Sequence, residues 1–162
     1  MFESNDGNFK YSIRLAVIND LDQILKNWWR LIDEQSFLDK RATHSDVNYQ
    51  KSKIFLTSLI EREFLMLAVE TGGGMIGMGS AYPDGFFLTG GHSVWNIADV
   101  WVEPKARRNG VASNLVSKLE GLSKQLGAQE VRLDVYSENI VAISLYKSLG
   151  FGMLKETLSK KF

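Results

Sequence analysis

Apolar positions in this chain recur with a period of two in some stretches and near 3.6 in others, and the two periods predict its elements. Residues 11–18 set Ile13, Leu15 and Val17 on one side of a first strand. Asn19 reads as the cap of a helix whose first turn holds Asp20 and Asp22, where negative charge meets the positive end of the helix dipole. Leu21, Ile24, Leu25, Trp28 and Ile32 follow at helical spacing to about Gln35. Beyond a polar segment at 37–45, a second helix is expected over about 46–62, with Val47, Ile54, Phe55 and Leu59 buried. Residues 64–70 and 75–82 read as strands joined by Gly72-Gly73-Gly74, a triplet suited to a hairpin turn. Pro83-Asp84-Gly85 breaks the chain, Gly90-Gly91 turns it, and a strand follows over 93–102. The last third predicts a helix over 110–126 closed by Gly127, a strand over 131–136, a helix over 139–149 closed by Gly150, and a short strand from Phe151. This order, β-α-α-β-β-β-α-β-α-β, describes an α/β chain with an α+β type of mixed sheet, antiparallel at first and joined by a parallel crossover later.

Neither a linker nor a repeat interrupts the 162 residues, so the chain reads as a single domain, 1–162, with 1–9 as a flexible amino terminus. A hydrophobic share of 44% is enough for a packed core and argues against wholesale disorder. Nineteen basic residues balance nineteen acidic ones, which argues against nucleic acid as a partner. The absence of cysteine removes a disulfide framework, a thiolate nucleophile and Cys-ligated zinc. His44 and His92 are too few and too scattered to suggest a metal site. The first residues are polar and acidic, unlike a secretory signal, and no apolar run approaches the roughly 20 residues of a membrane span. We therefore expect a soluble, cytoplasmic protein with no membrane partner and no metal.

Chemistry concentrates in Val102-Glu103-Pro104-Lys105-Ala106-Arg107-Arg108-Asn109-Gly110-Val111-Ala112-Ser113. A strand ends, Pro104 prevents its continuation, three cations follow, and a helix starts near Gly110. Helix starts leave backbone N–H groups without intrahelical partners, and Gly110 and Ala112 keep side chains out of the way of an approaching phosphate. The segment reads either as an anion cradle, suited to a pyrophosphate, or as a solvated basic turn before an ordinary helix. It is not a P-loop, since no G-x-x-x-x-G-K-[ST] is present. Gly77-Met78-Gly79 is not a dinucleotide fingerprint, because Tyr82 takes the place of the third glycine and no helix follows. A second constellation pairs Asn139 with Tyr146, seven residues apart and so on one helix face roughly 10 Å from each other. An elongated ligand along that face could meet both; a capping Asn and a core-packed Tyr are the plainer alternative.

Together these segments resemble the GNAT superfamily of acetyl-CoA-dependent N-acetyltransferases. Arg107-Arg108-Asn109-Gly110-Val111-Ala112 is similar to its [QR]-x-x-G-x-[GA] acyl-CoA loop, and Asn139-x-x-Ala142-x-x-Leu145-Tyr146-x-x-x-Gly150-Phe151 to its second signature. The resemblance is closest over 97–151. It implies that strands 93–102 and 131–136 run parallel and splay, with the pantetheine arm in the gap. Backbone groups of Val100, Trp101 and Val102 would bind that arm. The turn from Arg107 through Arg108, Asn109, Gly110, Val111 and Ala112 to Ser113 would hold the pyrophosphate. Asn139 would contact the cofactor, and Tyr146 would sit beside the sulfur and protonate the departing thiolate.

The resemblance implies transfer of acetyl from acetyl-CoA to a primary amine of a small molecule or a peptide. The alternative is a regulatory module that holds an acyl-CoA without turnover. For the base, Asp134 stands where some relatives place a Glu, and Asp99 is the carboxylate on the strand before the loop. Trp28, Trp29, Phe37, His44, Tyr82, Phe86, Phe87 and Trp95 fall where relatives shape the acceptor site, although core packing or surface exposure is the plainer reading of each. An aromatic lining there would favour an apolar amine over a polyamine, which wants clustered carboxylates. Only one strand's length of chain follows the last helix, so a second subunit, as in a homodimer, or the 37–45 loop could close that site.

Overall fold

Strands pair in the order in which the chain makes them. The computed structural model describes residues 2–4, 10–36, 45–85 and 93–160; Phe37, His44, Phe86, Phe87 and the turn at Gly90-Gly91 lie outside them. Six strands form one sheet in the order β1 (Phe2–Ser4), β2 (Tyr11–Leu15), β3 (Leu65–Glu70), β4 (Met75–Pro83), β5 (Val94–Val102) and β6 (Glu130–Arg132). Every neighbouring pair is antiparallel except β5 and β6, which are parallel. Among the described residues four α-helices accompany the sheet: α1 (Leu21–Gln35), α2 (Asp46–Glu61), α3 (Val111–Gln125) and α4 (Ile140–Ser148).

The sheet is covered on both faces, and the period of two decides which side chain meets which helix. Leu65 and Leu67 of β3, with Met78 and Trp101, pack against Ile24, Leu25 and Leu31 of α1 and Leu56, Leu59 and Ile60 of α2. The alternating Ala68, with Ile76 and Val102, packs against Val111 and Leu115 of α3. Farther along the same face, Ala81, Trp95 and Ile97 meet Val116 and Leu119 of α3, with Tyr146 and Leu149 of α4 at the rim. Gly77 and Gly79 of β4 lie beneath α3: a Cβ at Gly77 would stand 3.0 Å from a Leu115 methyl and one at Gly79 2.9 Å from a Leu119 methyl. The Gly-Met-Gly motif is therefore a packing device that lets a helix approach the sheet.

Several elements depart from expectation for identifiable reasons. Phe2–Ser4, inside the stretch expected to be flexible, pairs with β2 from Phe2↔Ile13 to Ser4↔Tyr11 and covers what would otherwise be an open edge. The first strand ends at Leu15, and Val17 is exposed, because the chain turns at Ile18–Asp20 into a 3-10 turn. Asp20 rather than Asn19 organises that turn: its carboxylate accepts the Val17 N–H at 2.9 Å and both terminal nitrogens of Arg14 at 2.7 and 2.8 Å. The Arg14 guanidinium holds this carboxyl below its usual range.

In α2 the buried stripe is Ser52, Leu56, Leu59 and Ile60, leaving Val47 63% and Ile54 71% exposed. Two apolar stripes compete on this helix, and the sheet takes the one carrying two adjacent bulky residues. At the other end of the chain, β6 stops at Arg132, so residues 133–136 leave the sheet. Residues 151–160 form no strand, since β6 offers only three residues of edge to pair with. Gly127 and Gly150 do close α3 and α4, each with φ 93°. No helix among the described residues is long and apolar enough to cross a membrane.

Candidate active site

A gap opens in the sheet because two parallel strands pair and then part. β5 and β6 are in register only at Val94↔Glu130, Trp95↔Val131 and Asn96↔Arg132. Immediately beyond, β5 carries a bulge: Ser80 of β4 faces Ala98 and Met78 faces Trp101, so Asp99 and Val100 together oppose Gly79. Asp99 takes the left-handed conformation, φ 55°, which a non-glycine residue adopts only when its surroundings hold it there. A bulge bends its strand, and among the described residues no strand pairs with the β6 side of β5 past Asn96. The backbone around Val100, Trp101 and Val102 thus lies along an opening left between β5 and the chain beyond β6.

At one end of this opening the chain leaves β5 through a 3-10 turn, Pro104–Ala106, and enters α3. Arg108 (φ 65°) and Gly110 (φ 72°) are both left-handed, which curls the backbone into α3. No side chain caps this helix, and the first helical hydrogen bond runs from Asn114 N–H to Gly110 C=O at 2.9 Å. The N–H groups of Val111, Ala112 and Ser113 therefore precede the ladder at the positive end of a 15-residue dipole. Space is open at Gly110, where a Cβ would find only Asn114 Nδ2 at 3.9 Å; its backbone angle is what calls for glycine. This turn fits a diphosphate by its unfilled amides and its lack of covering side chains.

The cations of the turn are not equivalent. Lys105 lies 3.4 Å from Glu70. Arg107 donates from Nη2 to both oxygens of Glu34, at 2.7 and 2.8 Å, and from Nε to the Val102 carbonyl at 2.9 Å. Arg108 is exposed and makes no ion pair among the described residues. Asn109 braces the turn by donating to the carbonyls of Arg107 (2.9 Å) and Ala106 (3.3 Å). Of the three cations, Lys105 and Arg107 thus each face a carboxylate, Glu70 and Glu34.

Asp99 anchors the α1/α2 side of the opening. Trp28 Nε1 donates to its Oδ1 at 2.9 Å and Ser80 Oγ to its Oδ2 at 2.6 Å. The residue is half-buried, yet its carboxyl sits deep among protein atoms, and this desolvation raises its pKa despite both donors. Tyr82 stands nearby, edge-on to Phe55 with ring centroids 6.1 Å apart. Burial raises the pKa of its phenol, and the charges of Asp99, Asp134 and Asp84 raise it further. The aromatic lining therefore sits within reach of carboxylates. Asp134 itself is exposed, in the stretch after β6.

On the α3/α4 side, Asn139 caps α4 as expected, its Oδ1 accepting the Ala142 N–H at 3.1 Å. Tyr146 is half-buried against the cluster around Trp95, Ile97 and Leu119 and lies edge-on to Phe151 at 6.0 Å. Burial raises the pKa of its phenol, and its hydroxyl makes no hydrogen bond among the described residues. Trp95 is core, edge-on to Phe64 at 5.1 Å.

The pattern reading left out Ser80, Glu34, Arg30 and Glu103. Arg30 and Glu34 stand one helical turn apart on α1, a detectable signal. Their partners lie about 70 positions later, which no local pattern reveals.

Known proteins place the whole fold in a family. Residues 21–151 match the acetyltransferase (GNAT) family. Mycothiol acetyltransferase of Nocardiopsis dassonvillei is 30% identical over 133 residues, covering 75% of this chain and 40% of that protein. Thialysine N-epsilon-acetyltransferase of Sus scrofa is 31% identical over 70 residues, 40% of this chain and 41% of that protein. The chain thus spans about two fifths of the length of these curated relatives. The crystal structure of a predicted acetyltransferase with acetyl-CoA from Clostridium acetobutylicum shares the fold, with a TM-score of 0.75, 17% identity, and 93% of this chain and 96% of that chain covered. Since the family match begins at the first residue of α1 and runs past the end of α4, taking in both sides of the opening, the chain belongs to the acetyltransferase (GNAT) family.

Proposed function

We propose that the protein transfers an acetyl group from acetyl-CoA to a primary amine of a small molecule or peptide. One observation carries this reading: the β5 edge that β6 leaves unpaired leads to an uncapped helix start, suited to a diphosphate, with a desolvated carboxylate on the α1 side of the sheet and a half-buried phenol on the α3/α4 side. The diphosphate would rest on the amides from Arg108 to Ser113. The pantetheine arm would follow the β5 edge at Val100–Val102, with Asn139 beside it. Acetyl-CoA from the α3/α4 face and the amine from the α1/α2 face would meet in the gap.

The chemistry then balances as follows. The amine nitrogen forms a bond to the thioester carbonyl carbon, the C–S bond breaks, one amine proton passes to a carboxylate, and the sulfur receives a proton from the Tyr146 hydroxyl. A neutral amine is required, and free lysine titrates near 10.4. Asp134 can take the proton as a solvent-exposed base one methylene shorter than Glu. Asp99 is a second reading, favoured by its desolvated carboxyl: a base whose pKa is raised holds a proton more firmly. Tyr146, with its pKa raised, keeps its proton until negative charge develops on the sulfur. Because a free thiol near 8.5 is a stronger acid than a phenol near 10, this transfer runs uphill by at least ~2 kcal/mol. Its contribution therefore belongs at the low end for general acids.

Tyr146→Phe is expected to lower kcat about 10²-fold with little change in acetyl-CoA affinity. Thiol release with an amine panel, beside calorimetry with acetyl-CoA, checks this. Unchanged turnover removes Tyr146 as the acid. Binding without amine-dependent release across the panel turns the reading into an acyl-CoA-holding module.

A further inference from the structure

We infer that Glu34, on α1, is a positioning residue for the diphosphate-binding turn, and that Arg107 serves this turn as its anchor rather than as a phosphate ligand. The inference rests on the proposed use of the turn. A set of contacts carries it, running from one face of α1 to the end of β5 and the start of the turn. Glu34 accepts Arg107 Nη2 at both oxygens, at 2.7 and 2.8 Å, and Trp101 Nε1 at 3.2 Å. One helical turn earlier, Arg30 meets Glu103 with two hydrogen bonds, 2.7 and 3.1 Å, and lies 5.0 Å over the Trp101 ring. The last residues of β5 and the start of the turn are thereby tied to α1 through Arg30 and Glu34. Arg107 Nε also closes onto Val102 C=O at 2.9 Å, so its planar fork is occupied on two sides.

This arrangement has a purpose that a free cation would not serve. The turn must hold Arg108 and Gly110 left-handed for the α3 amides to converge, and a non-glycine left-handed residue costs free energy that its surroundings must offset. A short bridge from α1 to the residue just before Arg108 supplies that restraint. The same pair neutralises Arg107, leaving Arg108 as the cation of this turn without a carboxylate partner among the described residues.

The test turns on sign. If Arg107 were a phosphate ligand and Glu34 only a nearby negative charge, Glu34→Gln would strengthen acetyl-CoA binding, because a repulsive carboxylate is removed. If Glu34 positions the turn, Glu34→Gln weakens binding. The expected loss is about 3- to 10-fold in Kd, the scale of a partly exposed ion pair within a network. Arg107→Gln should lose a similar factor and the double variant little more, since both break one contact. KM for acetyl-CoA should rise while kcat stays nearly constant. Hydrogen exchange in the ligand-free protein should quicken at the 105–113 amides in Glu34→Gln. The exchanged pair, Glu34→Arg with Arg107→Glu, should recover part of the affinity. Equal or tighter binding by Glu34→Gln overturns this inference alone, whereas a parent protein that binds no acetyl-CoA overturns the proposed function with it.

Discussion

Gly77 and Gly79 offer a sharp comparison, because alanine at two positions on one face of β4 should behave differently. A Cβ at Gly77 would stand 3.1 Å from the Trp101 carbonyl oxygen, 3.1 Å from Val111 Cγ1 and 3.0 Å from Leu115 Cδ1. The carbonyl belongs to the neighbouring strand and cannot swing aside, and Val111 opens α3. At Gly79 the tight neighbour is a single Leu119 methyl at 2.9 Å, the end of a side chain that can turn, while the Ala98 oxygen is 3.9 Å away. Overpacking a core costs ~1–3 kcal/mol. Replacing glycine where φ is ordinary returns ~0.4–1 kcal/mol through the unfolded chain. Gly77→Ala should therefore lose about 1–2 kcal/mol net, or about 2–8 °C in Tm for a chain of this size. Gly79→Ala should stay within about 1 kcal/mol of the parent. Relief at Gly77 pushes Val111 and the start of α3 outward, so Gly77→Ala should also weaken acetyl-CoA binding beyond its effect on stability. Denaturant melts and calorimetric titration of both variants check this. Equal destabilisation by the two alanines, or full cofactor affinity in Gly77→Ala, would refute the packing account.

Two further outcomes follow from the titrating groups. Burial places the Asp99 pKa above its unfolded value, so the native state holds the extra proton and stability declines as pH climbs from the ordinary carboxylate range through the raised pKa. Asp99→Asn should flatten that decline and keep or raise Tm at neutral pH, with Ser80 turning its hydroxyl to the Ala98 carbonyl 3.3 Å away, while amide formation falls; a lower neutral-pH Tm counts against the assignment. Asp20 has the opposite sign: Arg14 lowers its pKa, so its stabilisation is complete above the ordinary carboxylate range and disappears as pH falls through the lowered value. Asp20→Ala should cost about 1 kcal/mol at pH 7, and the gap to the parent should close below about pH 4; a gap independent of pH would exclude the Arg14 pair as its source.

Much of the fold was legible because its signals are local. The stripe of α1, the glycines that close α3 and α4, and the strand–Pro–turn–helix sequence around Gly110 all state their geometry within one or two turns of chain. α2 misled because Val47 and Ile54 form as good an apolar stripe as Leu56, Leu59 and Ile60, and only the sheet decides which is used. The final strand failed for a similar reason: strand propensity at Phe151 is of no use without a partner edge. In the site, the uncapped start of α3 and the Asn139 cap were readable, as local backbone features are. The surroundings of Asp99, itself readable as a candidate base, were not, since they depend on a bulge opposite Gly79 and on donors 71 and 19 positions away. The charge of Arg107 is visible in a sequence, and its carboxylate partner, 73 residues earlier, is not.

The order of the strands has a bearing on how the molecule is built. Each strand lies beside its predecessor, and β3, β4 and β5 can be laid down by successive local additions, the cheapest route in loop-closure entropy, whereas β3 reaches β2 only across α1 and α2. β6 arrives by the parallel crossover through α3, and it is held by three register pairs. The β5/β6 seam is thus, with β1/β2, one of the two places in the sheet with the fewest register pairs to break, and so with the greatest freedom to part.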